Sequence, residues 1–159
     1  MSFRIGTGID FHQLAEGSAL WIGGVHIPHH KGAVGHSDAD VLLHAICDAL
    51  LGALALGDIG EHFPNTDPAY KGIDSKILLS KCVEMIHAKG YRVVNVDATL
   101  CLEAPKIRPY VKSMQAAIAP LMAIAPDAVS VKATTTEKMG FAGREEGLMA
   151  MATVLLQQS

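Results

Sequence analysis

The chain has 159 residues, half of them hydrophobic, with a formal charge of −3 and only one Trp, three Tyr and four Phe. That length is most simply one domain, 1–159, large enough to bury roughly 70% of the surface its unfolded chain would expose. The charge comes with no basic stripe and so gives no reason to expect a nucleic-acid partner. A core this poor in aromatic residues must be built from Ala, Val, Leu, Ile and Met. Mean hydropathy is positive, and such a surplus also predicts surface buried between subunits. Cys47, Cys82 and Cys101 are odd in number, widely spaced and set in apolar stretches. They read as buried free thiols in a reducing compartment. Met1 runs straight into Phe3-Arg4-Ile5-Gly6 without an apolar h-region, which predicts no signal peptide. The longest apolar run, Ala49 to Leu56, falls far short of the ~20 residues of a membrane span. A cytoplasmic protein with no membrane partner is the expectation.

In chain order, residues 3–11 read as a strand, followed by a short hairpin-like pair at Leu20–Ile22 and Val25–Pro28, joined by Gly23-Gly24. Ser37-Asp38-Ala39-Asp40 predicts a helix start, with Ser37 or Asp38 as N-cap, and the helix is expected to end at Gly57. Its apolar positions recur at three- and four-residue spacing, with Asp40, His44 and Asp48 along another face. A Gly-, Pro-, Asn- and Asp-rich loop spans Asp58 to Gly72. Asp74 is placed to cap a second helix that stops near Lys89, before Gly90. Residues 91–102 alternate as a strand with Val94, Val96, Ala98, Leu100 and Leu102 on one face. A third helix over 106–124 holds Pro109 near its start and Pro120 as a kink. Strands near 128–134 and 147–156 close the chain. This order predicts an α+β fold: a mixed four-stranded sheet with helices packed mainly on one face.

Asp10 and His12 stand two apart at the end of the first strand, so their side chains share a face. His44 can add a third ligand, and two imidazoles with one carboxylate is a composition of catalytic zinc sites with an open position. A capping aspartate and two ordinary histidines explain the same residues. Asp48 or Asp40 could orient His44 as outer acceptors, or both could lie on a solvated helix face. His26, His29 and His30 form a rival imidazole cluster interrupted by Pro28, for which a solvated loop is the better account. His36-Ser37-Asp38 before a helix could receive a phosphate, or simply cap. Asp58 between glycines suits a polyol contact or a turn. Lys132-Ala133-Thr134-Thr135-Thr136-Glu137-Lys138 offers hydroxyls to phosphate oxygens and a carboxylate to magnesium, although threonines are also ordinary strand residues. Ala104-Pro105-Lys106-Ile107-Arg108 joins a strand to a helix and could present backbone groups to a base and Lys106 to a phosphate.

Several motifs occur together and in order: Gly8-Ile9-Asp10-Phe11-His12, Ile22-Gly23-Gly24-Val25, His36-Ser37-Asp38-Ala39-Asp40-Val41, Asp48-Ala49-Leu50-Leu51-Gly52-Ala53, Gly57-Asp58-Ile59-Gly60, Asn95-Val96-Asp97, Ala104-Pro105-Lys106 and Val131 to Lys138. In these the chain resembles, over essentially its whole length, the 2-C-methyl-D-erythritol 2,4-cyclodiphosphate synthase family of the non-mevalonate isoprenoid pathway. The resemblance implies a homotrimer with active sites between adjacent subunits. It implies zinc (Zn2+), or another divalent transition metal, at Asp10, His12 and His44. A magnesium (Mg2+) or manganese (Mn2+) ion would bridge the substrate diphosphate with help from Glu137. His36, Ser37 and Asp58, with Ile59, Gly60, Phe63, Asn65 and Asp67 beside them, match positions around the methylerythritol phosphate. Ala104, Pro105, Lys106, Ile107, Thr134 and Thr135 match the cytidine diphosphate pocket of the neighbouring subunit, and Thr136 is implied as a further substrate-binding residue. His36, Asp58, Thr135 and Glu137 are the implied catalytic set. Asn65 stands where some relatives carry a carboxylate, and Met151 where some place a glutamate near the trimer axis. Phe141 and Arg144 match that axial region, which in some members holds an isoprenoid diphosphate.

The implied reaction is attack by the substrate's own 2-phosphate oxygen on its β-phosphorus, with loss of CMP. Two alternatives use the same residues: a zinc-dependent phosphohydrolase, and a non-catalytic trimeric protein that binds isoprenoid diphosphates.

Overall fold

The structure is a computed structural model and describes residues 2–159. Strand β1 (Phe3–Glu16) is followed by the hairpin strands β2 (Trp21–Ile22) and β3 (Val25–His26), the edge strand β4 (Lys31–Val34) and helix α1 (Val41–Ala53). A short helix α2 (Ile59–His62) precedes α3 (Ser75–Ala88), β5 (Tyr91–Cys101), α4 (Val111–Leu121) and β6 (Val129–Thr134). The short α5 (Gly140–Gly143) and the long β7 (Gly147–Gln158) end the chain. The main sheet has the order β4-β1-β7-β5-β6, antiparallel except for the parallel pair β5–β6.

The sheet is mixed, as expected, but has five strands and not four. The missed strand, Lys31-Gly32-Ala33-Val34, is short and carries no clear alternation. It forms because β1 runs on to Glu16 and offers Gln13–Glu16 as a pairing edge. On β5 the buried positions are Val93, Val96, Ala98, Leu100 and, at the strand end, Cys101, because a bulge between Val93 and Asn95 shifts the alternation. Val94 is therefore only half-buried, and Leu102 lies beyond the strand end.

Helix α1 starts at Val41 with Asp40 as N-cap, later than Ser37 or Asp38, and stops at Ala53, well short of Gly57. Eleven of its thirteen residues are buried, so it forms the centre of the core. It lies unusually close to β1: a Cβ at Gly6 would run into the Ala49 carbonyl, and one at Gly8 into that of Ala45. Glycines on the strand and alanines on the helix permit this approach, which sets α1 over Asp10 and His12. Helix α3 begins at Ser75, capped by Asp74 as expected. Among the described residues the opposite sheet face has no helix over it, and it exposes Phe3, Ile5, Ile9, Phe11 and Met151.

Candidate active site

Asp10 and His12 project from β1 on the face that meets α1, and His44 projects from the first turn of α1 towards them. Asp10 Oδ2 lies 3.0 Å from His12 Nε2 and 3.2 Å from His44 Nδ1. The two imidazole nitrogens are 3.1 Å apart. The other nitrogen of each ring is engaged on the outside. His12 Nδ1 donates to the Val34 carbonyl at 3.0 Å, so the unexpected strand β4 orients the first ring. His44 Nε2 reaches Ser75 Oγ at 2.8 Å and Ser37 Oγ at 3.2 Å. The Ser75 hydroxyl itself donates to Asp38 Oδ1, and Asp38 Oδ2 accepts from the Ser75 backbone N–H at 3.0 Å.

These outer bonds assign the tautomers. With the outer nitrogens donating, both rings turn a lone pair inward, towards a carboxylate oxygen and towards each other. Three electron-rich atoms about 3 Å apart repel unless a cation sits among them. A tetrahedron with zinc–ligand bonds of about 2.0–2.1 Å has edges of about 3.3 Å, close to the spacing here. The donor set therefore fits a divalent metal with an open coordination position.

Without a metal, a proton takes that role. Burial raises the Asp10 carboxyl, but hydrogen bonds and positive charge from His12 and His44 outweigh it and hold the group at about 2. Burial likewise lowers His12, yet its contact with Asp10 wins and its pKa rises above the ordinary value.

Asp40 and Asp48, weighed above as outer partners of His44, do other work. Asp40 is fully buried and accepts from the backbone N–H groups of Gly23, Leu43 and Gly24, at 2.9, 3.0 and 2.7 Å. It ties the β2–β3 turn to the helix start. Asp48 accepts from the Ile59 N–H at 2.7 Å and anchors α2. The partners of His44 are instead Ser37 and, at the shorter distance, Ser75, thirty-one residues away. No local signal marks that serine as more than a helix-start residue.

A cavity of about 330 Å³ opens over the triad, lined by His36, Ser37, Ile59, Gly60, Phe63, Asn65 and Tyr70 among others. His36 Nε2 is fixed by the Asp67 carbonyl at 3.2 Å, while the Asp67 carboxylate caps its own turn at the Ala69 N–H. Asp58 is exposed and caps α2 through the Glu61 N–H at 2.9 Å. Ser37, already bonded to His44 and the Ala39 N–H, and the capping Asp40 occupy the start of α1. A phosphate in this cavity would meet side chains more than free helix N–H groups.

The second distinctive region lies elsewhere. Glu103, Pro105, Lys106, Ile107, Ala133 and Thr135 line a separate cavity of about 160 Å³ that shares no residue with the first. Ile107 is buried, whereas Lys106 is exposed. Glu103, unremarked in the sequence, has Oε2 buried without a hydrogen-bond partner, and its other oxygen lies 3.8 Å from Lys138 Nζ. Beyond β6, Glu137 and Lys138 both adopt left-handed backbone, with φ of 53° and 67°. The Glu137 N–H donates to Thr135 Oγ1 at 3.2 Å, and Thr136 Oγ1 donates to the Met139 carbonyl at 2.6 Å. Thr134 Oγ1 turns to the Thr135 carbonyl at 3.2 Å. Phe141 meets Phe11 at 5.8 Å between ring centroids, and Arg144 is held by both carboxylate oxygens of Glu146 at 2.8 and 3.1 Å.

Fold and donor set define a small α+β domain whose Asp10, His12 and His44 could hold a metal ion between its sheet and its central helix. A family model described as the YgbB family matches residues 3–157, and the chain belongs to that family. It is 58% identical over 158 residues to 2-C-methyl-D-erythritol 2,4-cyclodiphosphate synthase of Bacteroides fragilis, covering 99% of both chains. The enzyme of the same name from Chloroherpeton thalassium is 61% identical, over 98% of this chain and 99% of that one. Among solved structures, the bifunctional IspDF from Campylobacter jejuni superposes with TM-score 0.95 at 38% identity, over 99% of this chain and 43% of that one. A CDP-bound form of 2C-methyl-D-erythritol-2,4-cyclodiphosphate synthase gives TM-score 0.90 at 37% identity, over 97% of this chain and 100% of that one.

Proposed function

We propose that this chain converts 4-diphosphocytidyl-2-C-methyl-D-erythritol 2-phosphate to 2-C-methyl-D-erythritol 2,4-cyclodiphosphate and CMP. It acts as a cyclising phosphorus–oxygen lyase of isoprenoid biosynthesis. The observation that carries this is the inward-facing Asp10–His12–His44 donor set at the floor of a polyol-sized cavity, in a chain 58% identical to synthases of that name.

The 2-phosphate oxygen attacks the β-phosphorus, the P–O bond to the α-phosphate breaks, and CMP departs. The nucleophile is an anion near neutral pH and the leaving group is a phosphate, so no proton-transfer residue is required. What remains is to offset repulsion between phosphates and to hold the substrate folded. When bound, a divalent transition metal such as zinc at Asp10, His12 and His44, and magnesium or manganese near Glu137, would supply Lewis-acid charge neutralisation. His36, anchored by the Asp67 carbonyl, and Ser37 shape the wall beside the 2-phosphate. Asp58, at the start of α2, receives the polyol hydroxyls, with Ile59, Gly60, Phe63 and Asn65 closing around the carbon chain. Ala104, Pro105, Lys106 and Ile107 hold the cytidine end. Thr134, Thr135 and Thr136 position the diphosphate.

The two cavities are separate within one chain, and the bare sheet face is apolar. Both features support a homotrimer in which the cytidine cavity of one copy meets the metal cavity of the next. The axial ligand stays a weaker reading, because a diphosphate approaching Arg144 would have to displace Glu146.

His12→Ala tests the assignment: it should lose the metal held by Asp10, His12 and His44 and nearly all CMP release while keeping its oligomeric state. Full CMP release from a His12→Ala protein shown to hold no metal at that site would contradict it.

A further inference from the structure

We propose that His29, His30 and Glu145 form a second transition-metal site, which clamps the loop before β4 to the turn before β7. The sequence groups His26 with the other two histidines, but the fold separates them. His26 packs on Trp21 across the β2–β3 hairpin, 5.2 Å between ring centroids. His29 and His30 turn instead towards Glu145, and one ligand atom from each of the three lies within 4.8 Å of the others. The two imidazole rings are 4.4 Å apart at an angle of 58°.

Two further observations point to a ligand. His29 Nε2 is buried and has no hydrogen-bond partner among the described residues, and a buried polar nitrogen left unpaired needs an explanation such as an ion. The backbone at His30 and around Glu145 is also held in place. The His30 carbonyl accepts from the Gly17 N–H at 3.4 Å, and the Glu146 carbonyl from the Leu14 N–H at 2.9 Å. Lys31 Nζ donates to the Glu145 carbonyl at 3.0 Å, so the residue after His30 already bridges the two segments. A metal centre here would be preorganised by β1 on either side, which limits the ordering cost of binding.

The donor set selects the ion. Two imidazoles and one carboxylate suit zinc, cobalt, nickel or copper, whereas magnesium and calcium prefer oxygen ligands alone. Water would complete the coordination, since His30 is exposed. The site shares no residue with the Asp10–His12–His44 centre, and its existence does not depend on the reaction proposed above. Its turn does reach a second surface: Glu146 and Gly147, next to Glu145, line a hollow with Phe11 and Phe141. Metal binding would stiffen that wall.

The test strips the full-length protein with a chelator, reloads it with zinc, removes free ion and counts zinc per chain. The wild-type protein should retain two equivalents, one for each donor cluster. His29→Ala, His30→Ala and His12→Ala should each retain one, and the His12→Ala/His30→Ala double variant none. His30→Ala should also keep CMP release unchanged, which separates this site from the catalytic one. A wild-type count of one that vanishes in His12→Ala, or two equivalents persisting in His29→Ala and His30→Ala, would overturn the proposal.

Discussion

Ser75 touches no substrate in this account, yet it decides which nitrogen of His44 faces the metal position. Its hydroxyl donates to Asp38 and accepts from His44 Nε2, which leaves Nδ1 free to bind. Outer hydrogen bonds of this type are typically worth about 10–100-fold in metal affinity. Ser75→Ala should therefore weaken zinc binding by a factor in that range with little loss of helix structure, and Ser75→Thr should restore most of it. Competition with a chromophoric chelator measures both, and unchanged affinity in Ser75→Ala would remove the relay. The pH dependence follows from the same atoms. The raised pKa of His12 adds stability to the metal-free protein that is fully present below the ordinary value of 6.5 and is lost as pH rises through the folded value. The lowered Asp10 pKa adds stability that is present above 3.8 and is lost as pH falls towards about 2. Metal binding needs His12 neutral, so it opposes the first effect. The gain in melting temperature on adding zinc should shrink as pH falls through the raised folded pKa of His12, and a gain independent of pH would contradict the donor assignment.

At the scale of elements, the site exists because α1 can lie almost against β1. Gly8 is directly opposite Ala45, and any Cβ there meets backbone. Gly8→Ala should push the helix away, destabilise the protein by about 1–3 kcal/mol as overpacking does, and lower zinc affinity by separating His44 from Asp10 and His12. Chemical denaturation and metal titration on one preparation check both, and an unaltered zinc affinity would show that the approach does not set the site. This level also shows what could be read from residues alone. The D-x-H pair and the strand alternation placed Asp10 and His12 on one face, because strand geometry is local. The helix start at Val41 was misjudged because Ser37, Asp38 and Asp40 are all good caps. Only the tertiary partners Gly23 and Gly24, which engage the Asp40 carboxylate, choose among them. β4 and the Ser75 contact were illegible for the same reason: each is defined by a partner distant in sequence. The motifs beyond Asp10 and His12 acquired meaning only together, through their order along the chain.

At the scale of the molecule, the bare sheet face is the strongest sign that one chain is not the working unit. Ile5 is 70% exposed and Phe11 56%, on a strand flanked by others of similar character, and contiguous apolar patches of this kind mark association surfaces. Ile5→Asp combined with Ile9→Asp should give a monomer by light scattering that still binds zinc but has lost most CMP release, because the cytidine cavity no longer meets the metal cavity. A monomer with full activity would place the whole site within one chain. The central claim is that this chain closes a ring and does not hydrolyse or merely bind. Phosphorus NMR of the purified protein with 4-diphosphocytidyl-2-C-methyl-D-erythritol 2-phosphate and magnesium tests it most directly. A cyclic diphosphate should appear together with CMP, and both should be lost when zinc is chelated. A linear phosphate product, or substrate left unchanged by the metal-loaded protein, would contradict it.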